Sequence, residues 1–374
     1  MKPFIPQKLP INNLDWQELI GFCDGASSNI YRYDGLLEGM INPEILLSPL
    51  IRKEAELSSK IEGTQSTMSD VLEYESGAKF DSFKEKEIQG LQNYRISLRV
   101  AEDYLKEGRP LSLSLIKELH KRLMKDAHWD ARSLPGEFRK EQVFIGSRGC
   151  NIETATYVPP EHFLIQEYLE NWEEFVQNNS GNKIIKAAII HAQFEIIHPF
   201  MDGNGRIGRM IIPLYLYLTG VLQRPMFYIS EYFEKNRTEY YARLAAISQH
   251  NDWQGWVEFF LRAVEEQSRI NILRARKISN LYEDMKGKFQ KTLHSQHYLA
   301  ALECLFKRPI INGTLFTEKT RINHPNTARN ILNKLEKAGY IEKIRTGGAR
   351  RSALYAFPQL LFLANESNMY NISK

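Results

Sequence analysis

His198-Pro199-Phe200-Met201-Asp202-Gly203-Asn204-Gly205-Arg206-Ile207-Gly208-Arg209 is the stretch on which the reading of this chain turns. The very apolar run before it, Lys183 to Ile197, predicts a buried helix, and Pro199 prevents that helix from continuing in regular form. Gly203 and Gly205 allow a tight turn and close backbone approach to a ligand. A second apolar helix is predicted from about Arg206 to Leu222, so free amides at its start point into the loop and make an anion nest. Arg206 and Arg209 share a helix face and suit phosphate oxygens. Asp202 is a hard oxygen ligand where a phosphate-bound Mg²⁺ would sit.

The loop has neither the GxxxxGK[ST] spacing of a Walker A motif nor the preceding strand of a dinucleotide fingerprint. A plain interhelical turn with surface arginines is the bland alternative. Against it, one His, one Asp, three Gly and two Arg converge within twelve residues. The stretch matches H-P-F-x-[D/E]-G-N-G-R-x-x-R at every specified position, and over roughly residues 110–250 the chain resembles the Fic (Fido) family. The resemblance implies transfer of AMP from ATP to a hydroxyl side chain of a protein, with self-modification. It makes His198 the general base and Asp202 the holder of Mg²⁺ (or Mn²⁺). The amides around Gly203, Asn204 and Gly205 receive the phosphate charge, Arg206 and Arg209 hold the β- and γ-phosphates, and Ile207 and Gly208 complete the ATP-binding stretch.

A second motif lies upstream. Pro49 suits the first turn of a helix with Ser48 as its cap, Leu50, Ile51, Ala55, Leu57 and Ile61 have helical spacing, and Gly63 reads as its stop. Glu62 is thus an anion at a helix C-terminus, where the macrodipole disfavours it by about 0.3–1 kcal/mol. Such a residue is either solvated or paired with a cation. Ser58-Ser59-Lys60-Ile61-Glu62-Gly63 matches the Fic-associated pattern [S/T]-x-x-x-E-[G/N]. The resemblance implies that Glu62 pairs with Arg209 at the γ-phosphate position, that Ser58 braces the helix, and that residues 49–63 inhibit the core.

Other candidates are weaker. His191, Glu195 and His198 could share one helix face, but the zincin order is absent and His191 reads as a core residue. Val143, Phe144, Ile145 and Gly146 end a strand-like run that pairs with Ala155 to Val158 as a hairpin, a flap for target peptides in similar proteins. The resemblance also implies an aromatic on the adenine side; of the adjacent pair, Tyr241 is expected there, with Tyr240 packing inward.

The fold class expected is mainly α: a Fic helical core with a β-hairpin flap, plus a C-terminal winged helix (α+β) domain. Residues 1–109 are expected to form an N-terminal helical region whose first 40 or so are irregular apart from an amphipathic patch near Leu14 to Phe22. The core covers 110–250, a connector helix 251–290, and the winged helix-turn-helix 291–374. Helical patterns also run over 85–107, 114–125, 161–178, 232–249 and 252–290. The C-terminal segment holds 12 Lys/Arg against 4 Asp/Glu between Lys291 and Ala356. The whole chain carries +4, so the remainder is mildly acidic. Arg329, Lys334, Arg345, Arg350 and Arg351 would face DNA if the module binds it; protein docking is the other use of such a module. A cut near residue 290 is expected to separate it from the core.

With 374 residues, 43% apolar and 25% charged, the chain is an ordinary globular protein of two to three domains. Cys23, Cys150 and Cys304 are far apart and suggest no disulfide framework or zinc site. Met1 to Asn13 lacks an apolar h-region, and Met210 to Leu222 is too short for a bilayer. A cytoplasmic protein is expected, with target proteins, a DNA or protein partner for the C-terminal module, and a homodimer as partners, and no membrane. Two rivals remain: removal of AMP or transfer of another nucleotide or phosphate at the same site, and a DNA-binding regulator with a Fic sensor core.

Overall fold

The computed structural model describes residues 2–127, 134–146, 151, 153–322, 324–347 and 352–365. Cys150, Arg350 and Arg351 therefore lie outside the described residues. The centre is a pair of packed helices, α8 (Lys183–Ile197) and α9 (Asn204–Leu218). Helix α8 is buried almost all round, as its apolar residues occupy every face. Asn182 caps it through the amides of Ile184 and Ile185, at 2.9 and 3.1 Å. Two indoles clamp its backbone. Trp172 of α7 (Ile165–Gln177) donates to the Ile190 carbonyl, and Trp256 of α12 (Trp253–Leu293) donates to that of Ala188, both at 2.9 Å.

The N-terminal 40 residues correct the sequence expectation. Trp16–Glu38 is one helix, α1, capped by Asp15 and packed along α12. Three glycines disguise it. Gly25 is needed: a Cβ there would collide with the Glu265 carboxyl of α12. Tertiary packing of Leu19, Ala26, Ile30, Tyr33 and Leu37 overrides the poor propensity. The expected helix at 232–249 is broken into α10 (Ser230–Lys235) and α11 (Arg237–His250), and α4 (Met68–Glu75) was not anticipated.

Helix α3 (Ser48–Ile61) follows the short α2 (Pro43–Leu46) and is buried on nearly every side. It packs against α5 (Ser82–Lys106), α9 and α10. Ser48 is not its cap, because the hydroxyl is turned to the Lys307 carbonyl at 3.1 Å. Helix α5 in turn packs on α6 (Leu113–Met124). Gly63 has φ +96° and ends α3 as expected.

The C-terminal segment runs α13 (Tyr298–Lys307), β1 (Ile310–Asn312), α14 (Gly313–Thr320), α15 (Pro325–Lys337), β2 (Glu342–Arg345), β3 (Leu354–Ala356) and α16 (Pro358–Asn365). Its antiparallel sheet has the order β1-β3-β2. Strand β1 escaped the sequence reading because it is only three residues long.

This segment is not loosely hung. Arg52 of α3 reaches the Lys307 carbonyl at 3.0 Å. Ser76 and Asn312 bond across to Ile310 and Ser76 carbonyls at 3.3 and 2.6 Å. Glu75, nearly buried, gathers Arg52, Arg95 and Arg308. Burial opposes ionisation of Glu75, and the three guanidinium groups outweigh it, holding the carboxyl below its usual range. A cut near residue 290 would strip these partners, so clean separability is no longer expected. Glu75→Ala leaves three buried or half-buried cations without their anion. It should cost about 3 kcal/mol, read as a lowered Tm and denaturant midpoint, since breaking a buried ion pair typically costs about 3–5 kcal/mol.

Candidate functional site

The site forms where α8 ends and α9 begins. His198 is the C-cap of α8, in left-handed conformation at φ 50°, ψ 61°. A non-glycine residue there carries strain of about 1–3 kcal/mol, so something must hold it. Arg139 does: its Nε donates to the His198 carbonyl at 2.9 Å and its backbone amide to the Pro199 carbonyl at 2.8 Å. Another Arg139 nitrogen donates to the Pro160 carbonyl at 2.5 Å. Sequence reasoning missed Arg139, which lies outside both motifs.

The His198 imidazole is set up as a proton acceptor. Its Nδ1 lies 3.3 Å from the Glu195 carbonyl, which can only accept, so Nδ1 carries the proton and Nε2 keeps its lone pair. Burial pushes its pKa down to about 4, against the raising effects of the Glu195 carbonyl, Glu62 and Asp202. A solvated imidazole titrates near pH 6.5, and burial is the reason for the difference. The sign follows directly. A lowered pKa keeps the neutral base above that value and loses it as pH falls through it. The rate of a reaction that needs this base should be level from about pH 6 to 8 and fall only below about pH 5. A kcat/KM profile of the Glu62→Gly protein measures this; half-loss near pH 6.5 would contradict it.

The loop itself is tightly specified. Asn204 closes it on Phe200, accepting from the Phe200 amide at 2.8 Å and donating to its carbonyl at 2.9 Å. Gly203 stands at φ +81°, and a Cβ there would press on Met124 Sδ at 3.2 Å. Asp202 accepts from the Gly203 amide at 2.5 Å and from Arg206 at 3.2 Å. Arg206 thus braces Asp202 in this state. Ile207 donates to the Gly203 carbonyl at 3.1 Å and is fully buried, while Gly208 faces Glu195 and His191. These two residues build the first turns of α9.

Arg209 is fully buried and bonded to α3 and its C-cap. It donates to Glu62 Oε1 at 2.6 Å, to Ser58 Oγ at 3.0 Å and to the Ser58 carbonyl at 2.7 Å. The expected pairing of α3 with the motif is therefore present. Ser58 contributes by holding Arg209, so it braces the partner as well as the helix. Burial disfavours the Glu62 carboxylate, but Arg209, then Arg206 and His198, hold its pKa below the usual range. Gly205 makes room for it, since a Cβ there would collide with the Glu62 carboxyl. A cleft of about 190 Å³ lies here, with Ser59, Glu62 and Gly63 on one wall, Lys86 and Gly90 on another, and Asp202 and Arg206 in its lining.

Around this centre, burial pushes Glu195 up to about 8, with Arg209 opposing. His191 sits among Phe233, Tyr240 and Trp256 and meets the Tyr240 hydroxyl at 2.9 Å. It is a core residue, and no cluster of three or more His, Cys, Asp or Glu fit for a metal occurs among the described residues. Tyr240 is buried as expected. Tyr241 is half exposed, and its hydroxyl donates to the Ile61 carbonyl of α3 at 3.4 Å. The expected hairpin is reduced to one antiparallel bridge among the described residues, Ile145 with Tyr157. Phe144 is exposed beside it.

A metal would find one half-exposed carboxylate, Asp202, whose Oδ2 has no hydrogen-bond partner among the described residues. That donor set fits Mg²⁺, which usually takes one or two carboxylates and completes its shell with phosphate oxygens and water.

A loop of this sequence, closed this way between two buried helices and met by a Glu-bearing helix, defines a family. The Fic/DOC family model matches residues 110–216, and the Fic/DOC family N-terminal model matches residues 21–103. The chain belongs to the Fic/DOC family. It is 28% identical over 213 residues to the protein adenylyltransferase Fic of Drosophila grimshawi, covering 55% of this chain and 40% of that one. It is 27% identical to a probable protein adenylyltransferase of Aquifex aeolicus, over 48% of this chain and 52% of that one. The chain thus spans about half or less of the length of these relatives. A crystal structure of a Fic family protein from Desulfovibrio desulfuricans G20 superposes over 96% of this chain and 98% of its own, with a TM-score of 0.59 and 20% identity. Fic-1 from C. elegans superposes over 68% of this chain and 72% of its own, at 0.51 and 22%. At such identities the likeness is one of fold.

Proposed function

We propose that this chain is a protein adenylyltransferase held off by its own Glu62. It transfers AMP from ATP to a Ser, Thr or Tyr hydroxyl of target proteins and of itself. The observation that supports this most is the join of α8 and α9: a neutral imidazole with a free Nε2 lone pair stands over a helix start built for phosphate. The target hydroxyl oxygen forms its bond to the α-phosphorus, its proton passes to His198 Nε2, and the bond to the pyrophosphate oxygen breaks. The N-terminal amides of α9 face the phosphate charge, and Arg206 and Arg209 take the β- and γ-phosphates. Asp202 would hold Mg²⁺ or Mn²⁺, which when bound offsets phosphate charge. On this reading 1–109 carries the inhibitory helix, 110–250 the catalytic core and 251–290 the connector. Asp202→Ala should abolish self-labelling as completely as excess EDTA does; full labelling in EDTA would exclude the metal.

The element order of 291–374 fits a winged helix-turn-helix. Two of its cations are already committed inside the molecule, Arg308 to Glu75 and Lys334 to the Leu293 carbonyl at 3.3 Å. Arg329 is exposed on α15.

No helix among the described residues is long and apolar enough to cross a membrane.

A further inference from the structure

The loop that carries Asp202 is held from below by a residue outside both motifs. His120, on α6, has no exposed surface. Its ring lies flat on Phe200, with centroids 3.7 Å apart and planes 1° from parallel. The Gly136 amide donates to its Nδ1 at 2.9 Å. An amide N–H can only donate, so Nδ1 is the unprotonated nitrogen. Nε2 then carries the proton, and it lies 3.0 Å from the Asp202 carbonyl, which can only accept. The tautomer is therefore dictated from both sides. The neighbouring Gly203 comes so close that a Cβ on it would stand 3.5 Å from His120 Nε2.

The other end of the ring matters equally. Gly136, at φ +87°, presses on α6 and begins the segment that reaches Arg139, which holds His198 and Pro199. His120 thus joins two things: the turn that fixes the His198 backbone and the peptide between Asp202 and Gly203. Rotating that peptide would move the Asp202 carboxylate, which is bonded to the Gly203 amide.

We propose that His120 is the positioning residue of the motif loop, fixing the Asp202–Gly203 peptide through its Nε2–H and so aiming the Asp202 carboxylate at the metal–triphosphate. The last clause rests on the adenylyltransferase reading; the placement of the loop does not.

The experiment uses the full-length Glu62→Gly protein as parent and three substitutions. His120→Phe keeps the stack on Phe200 and removes both hydrogen bonds. His120→Asn offers an acceptor near Nδ1 and no donor toward Asp202. His120→Gln places an amide donor near the Nε2 position. Self-labelling and calorimetric binding of ATP, each with and without Mg²⁺, are measured on all four. Phe and Asn should lower kcat and the Mg²⁺-dependent part of ATP affinity roughly ten- to a hundredfold, the usual cost of removing a residue that orients a metal ligand. Metal-free ATP binding should be unchanged, and Gln should recover most of the loss. Equal loss in Gln and Phe, or equal loss with and without metal, would overturn the proposal.

A second readout needs no substrate. Imidazole nitrogen shifts of histidine-labelled parent should show His120 protonated at Nε2 and bare at Nδ1, and His120→Phe should shift the Gly203 amide. A proton on Nδ1 would overturn the proposal. A parent with the expected tautomer and amide shift that never labels itself would support the loop placement and count against the adenylyltransferase reading instead.

Discussion

His198→Ala in the Glu62→Gly protein is expected to lower AMP transfer by about 10²–10⁴, the usual contribution of a positioned base. ATP affinity should stay within a few-fold, because on the proposed reading the imidazole would face the incoming hydroxyl while α9 and its arginines would hold the phosphates. The backbone complicates a bare alanine variant, since residue 198 sits at φ 50°. Asparagine tolerates that region, so His198→Asn removes the base while sparing the turn. Both variants should bind ATP in calorimetry and fail to label. A variant that labels at the parental rate would remove His198 from the chemistry. One that loses ATP binding in proportion would make it a structural cap.

Glu62→Gly should accelerate self-labelling by roughly ten- to a hundredfold over wild type. The pair it breaks is charge-assisted and short, 2.6 Å from Arg209 to Glu62 Oε1, and such bonds are worth about 1.5–3 kcal/mol. Each tenfold is about 1.4 kcal/mol. On the proposed reading, removal would free Arg209 for the γ-phosphate and take away a carboxylate that would repel it. Arg209→Ala also breaks the pair, yet it would delete the proposed phosphate ligand, so it should not activate. The double variant should resemble Arg209→Ala alone. Initial-rate labelling at matched protein concentration separates these cases. Activation by Arg209→Ala would mean that release of α3 is enough, and would demote Arg209 from phosphate binding.

Much of this site was legible because its chemistry is local in sequence. Twelve consecutive residues carry the imidazole, the carboxylate, the amides and both arginines, and no tertiary knowledge is needed to see that they converge. The helix bounds Lys183–Ile197 were equally plain, since the apolar run is unbroken and Pro199 ends it. Glu62 was legible as a misplaced charge, an anion at a helix C-terminus that had to be either solvated or paired with a cation, and its motif pointed to the pair. What escaped was whatever depends on distant contacts. Arg139 and His120 look like ordinary polar residues until the fold brings them under the loop. Helix α1 hid behind glycines whose smallness serves packing on α12. The low pKa of His198 is a burial effect that no motif states. The knot of Arg52, Glu75, Arg95 and Arg308 joins residues up to 256 positions apart, and with it the expectation of a freely separable C-terminal module gave way.

The central claim is that this site moves the α-phosphoryl end of ATP, with its adenosine, onto a hydroxyl. Parallel incubation of the Glu62→Gly protein with Mg²⁺ and either α-labelled or γ-labelled ATP tests it most directly. The account predicts covalent label from the α position only, lost in the His198→Asn derivative. Label arriving from the γ position, or no label from either, would contradict it.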